Sequence, residues 1–155
     1  MNFIKSKKFL AIFAFILIFA VIVVVLHGFT FKSKVIVGGK TLTVEVVETK
    51  YLLEKGLSGH KPLLSDEGMF FVFQAPQKYG FWMKDMTFPI DIIWLDSNYK
   101  ISHIEKNVKP ETYPKVFYPE TDSKYVLELQ AGQSEILNLK IGDFVQFITK
   151  DSKNS

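Results

Sequence analysis

The hydrophobic pattern divides the chain in two. Phe9 to Leu26 is an unbroken run of eighteen residues with no charge and no side-chain hydrogen-bonding group. A helix there covers roughly 27 Å at about 1.5 Å per residue, close to the ~30 Å hydrocarbon layer of a bilayer. This predicts a transmembrane helix over residues 9–27, with 1–8 as a stub before it and 28–34 as a linker after it. A secretory leader has a shorter apolar core and ends at small residues, whereas this run closes on Val-Val-Val-Leu-His-Gly-Phe. An uncleaved anchor is therefore expected. Lys5, Lys7 and Lys8 precede the run, against Lys32 and Lys34 beyond it, which places the N-terminus in the cytoplasm and the body outside it.

After residue 34 the pattern becomes that of strands. Val35-Ile36-Val37, then Gly38-Gly39, then Lys40 to Glu48 reads as a hairpin, with Leu42, Val44 and Val46 on its buried face. Thr49 can cap a short helix over Lys50 to Lys55 that stops at Gly56. Gly68 to Phe73 is a continuous apolar run, broken at Ala75-Pro76-Gln77, and Ile90 to Leu95 is apolar on both faces. Asp96-Ser97-Asn98 turns into a strand over Lys100 to Val108. The three prolines between Lys109 and Asp122 allow only a loop. Tyr125 to Ala131 and Asp143 to Thr149 supply the last strands, around a helical turn over Gln133 to Leu139. Seven or so short strands with one or two short helices predict a mainly β body over 35–150, a small β-sandwich or open barrel, with a frayed tail over 151–155.

Composition narrows the chemistry. There is no cysteine, which excludes a disulfide framework, thiolate metal sites and a cysteine nucleophile. Removing Lys5, Lys7 and Lys8 leaves 19 − 3 = 16 lysines against 16 acids, and there is no arginine. A neutral body without guanidinium groups argues against a nucleic-acid partner. His27, His60 and His103 are far apart and form no metal-binding pattern, so neither a metal nor a cofactor is expected. Ser58 lacks the glycine elbow of a serine hydrolase, and no helix start follows Gly38-Gly39 to make a phosphate cradle.

Four segments carry a family resemblance: GMFFVF at 68–73, FWMKDMTFPIDIIWLD at 81–96, YVLELQAG at 125–132 and IGDFV at 141–145. In order, spacing and wording they resemble domain of unknown function family 192 over roughly residues 40 to 148. The resemblance implies a compact, mainly β domain and assigns no activity. Where many relatives read Asn-Thr after the FWMK element, this chain reads Asp85-Met86.

Asp91 is the most informative polar residue. Alternation puts it on the face of Ile93 and Leu95, where a carboxylate must be paired, hydrogen-bonded or neutralised. It either accepts backbone N–H groups at the Met86 to Pro89 turn or anchors a ligand, with Lys84 as a partner in both cases. Glu128 shares a semi-polar face with Val126 and Gln130, as a solvated strand residue or as the second carboxylate of a catalytic pair with Asp91. Trp82 and Lys84 share one face of a short extended segment, and Tyr113 and Tyr118 lie in the proline-rich loop. Together with Asp91 these form the expected ligand site. The leading expectation is a bilayer-anchored extracytoplasmic module binding an envelope glycan, peptide or protein. An envelope hydrolase or lyase using Asp91 and Glu128 is the alternative, and a purely architectural domain the third.

Overall fold

The computed structural model describes residues 10, 12–22 and 31–148. Residues 10 and 12–22 are helical, and each of them is exposed. The rest of the expected 9–27 span, the stub over 1–8 and the tail over 151–155 lie outside the described residues. Among the described residues no helix is long and apolar enough to cross a membrane, so the expected transmembrane helix is not found in the structure.

The body is mainly β. Its strands are β1 (Phe31–Val37), β2 (Lys40–Val47), β3 (Glu67–Gln77), β4 (Ile90–Leu95), β5 (Ile101–Val108), β6 (Ser123–Gln130) and β7 (Gln146–Ile148). Two short helices, α1 (Lys50–Lys55) and α2 (Gln133–Ile136), and a 3-10 turn over Pro110–Thr112 complete it. All seven strands form one sheet in the order β5-β4-β6-β3-β2-β1-β7, in place of a two-sheet sandwich. Only β2 and β3 run parallel. At one end the two edges are bridged: the Ile101 N–H donates to the Asp143 carbonyl, and the Val145 N–H to that of Tyr99.

Local chemistry explains most of these elements. Gly38 and Gly39 both adopt positive φ in the β1–β2 turn, and a Cβ on Gly38 would stand 2.6 Å from the Leu137 carbonyl oxygen. Strand β1 starts at Phe31, not after a linker ending at 34, because residues from Phe31 onward pair with β2. The Thr49 hydroxyl accepts from the Leu52 N–H, and Gly56 ends α1 at φ 49°. Strand β3 continues through the Ala75-Pro76-Gln77 break by shifting register between Val72 and Gln77. Pro76 is tolerated there because that stretch is at the irregular, exposed end of the strand.

The sheet buries both faces. On one face Val35, Leu42, Val44, Phe70, Ile93, Leu95, Leu127 and Leu129 pack together with Leu139 and Val145. On the other, Met69, Phe71, Ile92, Trp94 and Val126 are covered by Leu52 and Leu57 and by Phe81, Met83, Phe88 and Phe117. The covering exists because the parallel β2–β3 pair requires a crossover, and residues 48–66, with α1, make it over this second face.

Candidate functional site

Asp91 and Glu128 are both buried, and they lie on opposite faces of the sheet. In the β4–β6 ladder Asp91 stands opposite Leu129, and Glu128 opposite Ile92. Leu129 belongs to the first face and Ile92 to the second. The sheet separates the two carboxylates, so they do not converge as a catalytic pair.

Asp91 is fully enclosed and saturated with donors. Its Oδ1 accepts from the Asn107 N–H at 2.8 Å and the Gly132 N–H at 3.1 Å. Its Oδ2 accepts from the Ser134 N–H at 2.8 Å and the Ser134 hydroxyl at 2.6 Å. Gly132 caps α2 without a side chain to offer, so a carboxylate from another strand supplies the missing N-cap acceptor. Asn107 holds a positive φ of 49°, and its bond to Asp91 fixes that kink in β5. Asp91 thus accepts backbone N–H groups, but from Asn107, Gly132 and Ser134, not from the Met86 to Pro89 turn expected from the sequence. Lys84 is exposed and forms no ion pair with it among the described residues.

Glu128 is the opposite case. It is 5% exposed, and its Oε2 is buried with no hydrogen-bond partner. Met69 of β3 and Ile92 of β4 flank it across the ladders. Desolvation alone pushes its carboxyl up to about 8. The solvated strand glutamate read from the sequence is therefore a buried one, because β6 lies between two apolar strands.

Glu128 lines a cavity of about 560 Å³ whose apolar wall includes Leu53, Phe71, Phe73, Phe81 and Met86, with Trp82 beside them. The wall is built rigidly. Phe81 and Phe117 exchange backbone bonds of 2.9 and 2.8 Å, and the Trp94 indole N–H donates to the Tyr79 carbonyl at 2.9 Å. The Tyr79 ring stacks on Phe73, and the Phe81 ring meets Phe71 edge-on at 5.0 Å. Gly80 lets the Tyr118 and Val116 side chains approach, since a Cβ there would stand 2.6 Å from both and force them to shift. On the α1 side, the Ser58 hydroxyl donates to the Lys84 carbonyl at 2.8 Å and the Gly59 N–H to that of Asp85 at 3.1 Å. Asp85 adopts φ 55°, a conformation that Asn and Asp both tolerate, so Asp in place of Asn keeps this turn. Met86, in place of Thr, gives the cavity an apolar wall residue.

The segment expected at the site is only partly gathered there. Phe81 to Lys84 alternates buried and exposed, so Trp82 and Lys84 share the outward face as expected. Trp82 is half exposed and meets Tyr113 edge-on at 6.3 Å, which joins the 81–84 segment to the proline-rich loop. Tyr118 is exposed against Gly80. Asp91 is on the other face, and the buried acid that lines the cavity is Glu128. Phe71, Phe73, Tyr79 and Phe81 were missed as site residues because aromatic strand residues read as core. Among the described residues, no group of three or more His, Asp or Glu side chains could hold a metal ion.

The chain matches the DUF192 family, described as an uncharacterized ACR, over residues 33–147, and it belongs to that family. No curated protein matches it. It is similar to a protein of Sinorhizobium meliloti 1021 provisionally described as a transcription regulator, at 30% identity and a TM-score of 0.71, covering 76% of this chain and 95% of that one. It is also similar to a protein of unknown function from Novosphingobium aromaticivorans DSM 12444, at 26% identity and a TM-score of 0.67, covering 76% of this chain and 84% of that one.

Proposed function

We propose that this chain is a membrane-tethered, extracytoplasmic binding module, and that the cavity over Glu128 is where it holds part of an envelope glycan, peptide or protein. The observation that carries the reading is the unpartnered Glu128 Oε2 in an aromatic-lined cavity. A buried polar group without a hydrogen-bond partner costs stability, and a ligand that supplies one removes that cost. Trp82 and Tyr113 at the edge add flat, half-exposed rings of the kind that hold sugars and extended peptides. The tether is supported by the Phe9 to Leu26 run and by the exposure of its described apolar residues, among them Leu10, Phe15 and Phe19. The regulator description of the Sinorhizobium protein finds no support in this chain's residues, which include no arginine and a body of balanced charge.

Calorimetric titration of the full chain in detergent micelles with envelope glycan fragments and with short peptides tests the binding role. Saturable heat that is lost in Glu128→Leu and weakened in Trp82→Ala supports it. Absence of saturable heat with both ligand classes, or heat unchanged in both variants, overturns it. Protease added to cells stripped of their wall tests the topology: digestion of the body is expected, and its full protection defeats the extracytoplasmic placement.

A further inference from the structure

Resting on the binding reading above, we propose that the cavity selects a ligand carrying an organic ammonium group on an apolar body, with the ammonium seated against Glu128. Three observations converge on that chemistry. First, the acid is enclosed and its Oε2 has no hydrogen-bond partner, so the group that pairs with it is brought from outside. Second, the lining on the sheet side is rich in aromatic rings, among them Phe71, Phe73, Tyr79 and Phe81, and a ring quadrupole attracts a cation. Third, among the described residues no cation pairs with Glu128, although Lys50 and Lys55 line the same cavity. Lys50 is 3.9 Å from Glu54.

The groups around Glu128 set the proton balance. Its neighbours on β3 and β4 are Met69, Phe71 and Ile92, none of which titrates. Tyr79, whose hydroxyl donates to the Ala75 carbonyl at 2.6 Å, comes from the opposite wall. Glu48, Lys50, Glu54 and Lys55 come from the crossover, two of each sign. Burial holds the Glu128 carboxyl protonated at neutral pH, with its pKa raised to about 8. Seating an ammonium therefore expels one proton from Glu128 to solvent and leaves a carboxylate–ammonium pair. A neutral hydrogen-bonding ligand would keep the proton in place.

The two cases have opposite pH dependence, which makes the inference testable on the unaltered protein. The full chain in detergent micelles is titrated calorimetrically with 2-phenylethylammonium and with 2-phenylethanol, its neutral counterpart, at pH 6, 7 and 8. The ammonium is expected to bind at least tenfold more tightly than the alcohol at pH 8. Its affinity should fall about fivefold from pH 8 to 7 and about ninefold from pH 7 to 6, with proton release rising from about half a proton per site at pH 8 towards one at pH 6. Glu128→Gln should abolish this preference and leave alcohol binding within about threefold. Phe-Gly-Gly with a free or acetylated N-terminus then separates a chain terminus from a free small amine as the source of the ammonium. Equal binding of the two probes, or tighter binding of either at pH 6, overturns the ammonium assignment while the cavity remains a ligand site. Failure of both probes to bind at millimolar concentration overturns the ammonium assignment, and the binding reading falls with it only if glycan fragments and short peptides also give no saturable heat.

Discussion

The two faces of the β4–β6 ladder carry one buried carboxylate each, and the contrast between them separates structure from site. Asp91 receives four hydrogen bonds from Asn107, Gly132 and Ser134. Glu128 has a buried oxygen that receives none, in a cavity large enough for a ligand. Both are buried, so burial alone does not mark function. Satisfaction does: the saturated acid has no bonding capacity left for a ligand, and the unsatisfied one retains it.

The sharpest way to break the comparison is Asp91→Ala. It orphans three backbone N–H groups and a hydroxyl at once, and should destabilise the fold by about 3–5 kcal/mol. Urea unfolding measures the loss, and hydrogen exchange at Ser134 should rise before the rest of the body opens. A loss below about 1 kcal/mol would mean that water replaces Asp91 and that its face is not structurally special.

Glu128 should show the next largest effect, with a defined sign. Its folded pKa of about 8 lies above the ordinary value of 4.5, so the folded state keeps a proton that the unfolded state releases. Its contribution is fully present below about 4.5 and is lost as pH rises towards 8. At about 1.4 kcal/mol per unit, the wild type should lose about 3 kcal/mol relative to Glu128→Gln between pH 4 and pH 7. Parallel stability curves for the two proteins would show that the acid is hydrated and the contrast with Asp91 unreal.

The smallest effect should come from Trp82→Ala. Half-exposed and meeting Tyr113 at its edge, Trp82 should contribute less than about 1 kcal/mol to stability. Ligand affinity should nevertheless fall by roughly tenfold. Calorimetry and thermal melting on the same preparation separate the two.

Local signals in the sequence carried much of the fold. The Gly38-Gly39 hairpin, the Thr49 cap, the Gly56 stop and the doubly buried Ile90 to Leu95 strand each depend on a few adjacent residues, and each is present. The face of Asp91 was legible for the same reason, since alternation within one strand fixes it. Its partners were not, because Asn107, Gly132 and Ser134 reach it through nonlocal packing. Glu128 misled for a related reason. Val126 and Gln130 on its own strand suggested a semi-polar face, whereas its surroundings are set by Met69 and Ile92 on strands more than thirty residues away. The cavity was illegible altogether, since it depends on where the parallel crossover lays α1.

The strand order also governs when this body can fold. Strands β3 and β4 are consecutive in the chain yet do not touch in the sheet, because β6 fills the place between them. The partner of β1 on its outer side is β7, with Lys34 opposite Ile148. A nascent chain that has not reached Ser123 therefore holds two apolar strands with open edges, and one that has not reached Gln146 leaves β1 uncapped. Such distant pairings form slowly, and unpaired edges recruit other chains. The two halves of the sheet, β5-β4 and β3-β2-β1, consequently join only once Ser123–Gln130 has been made.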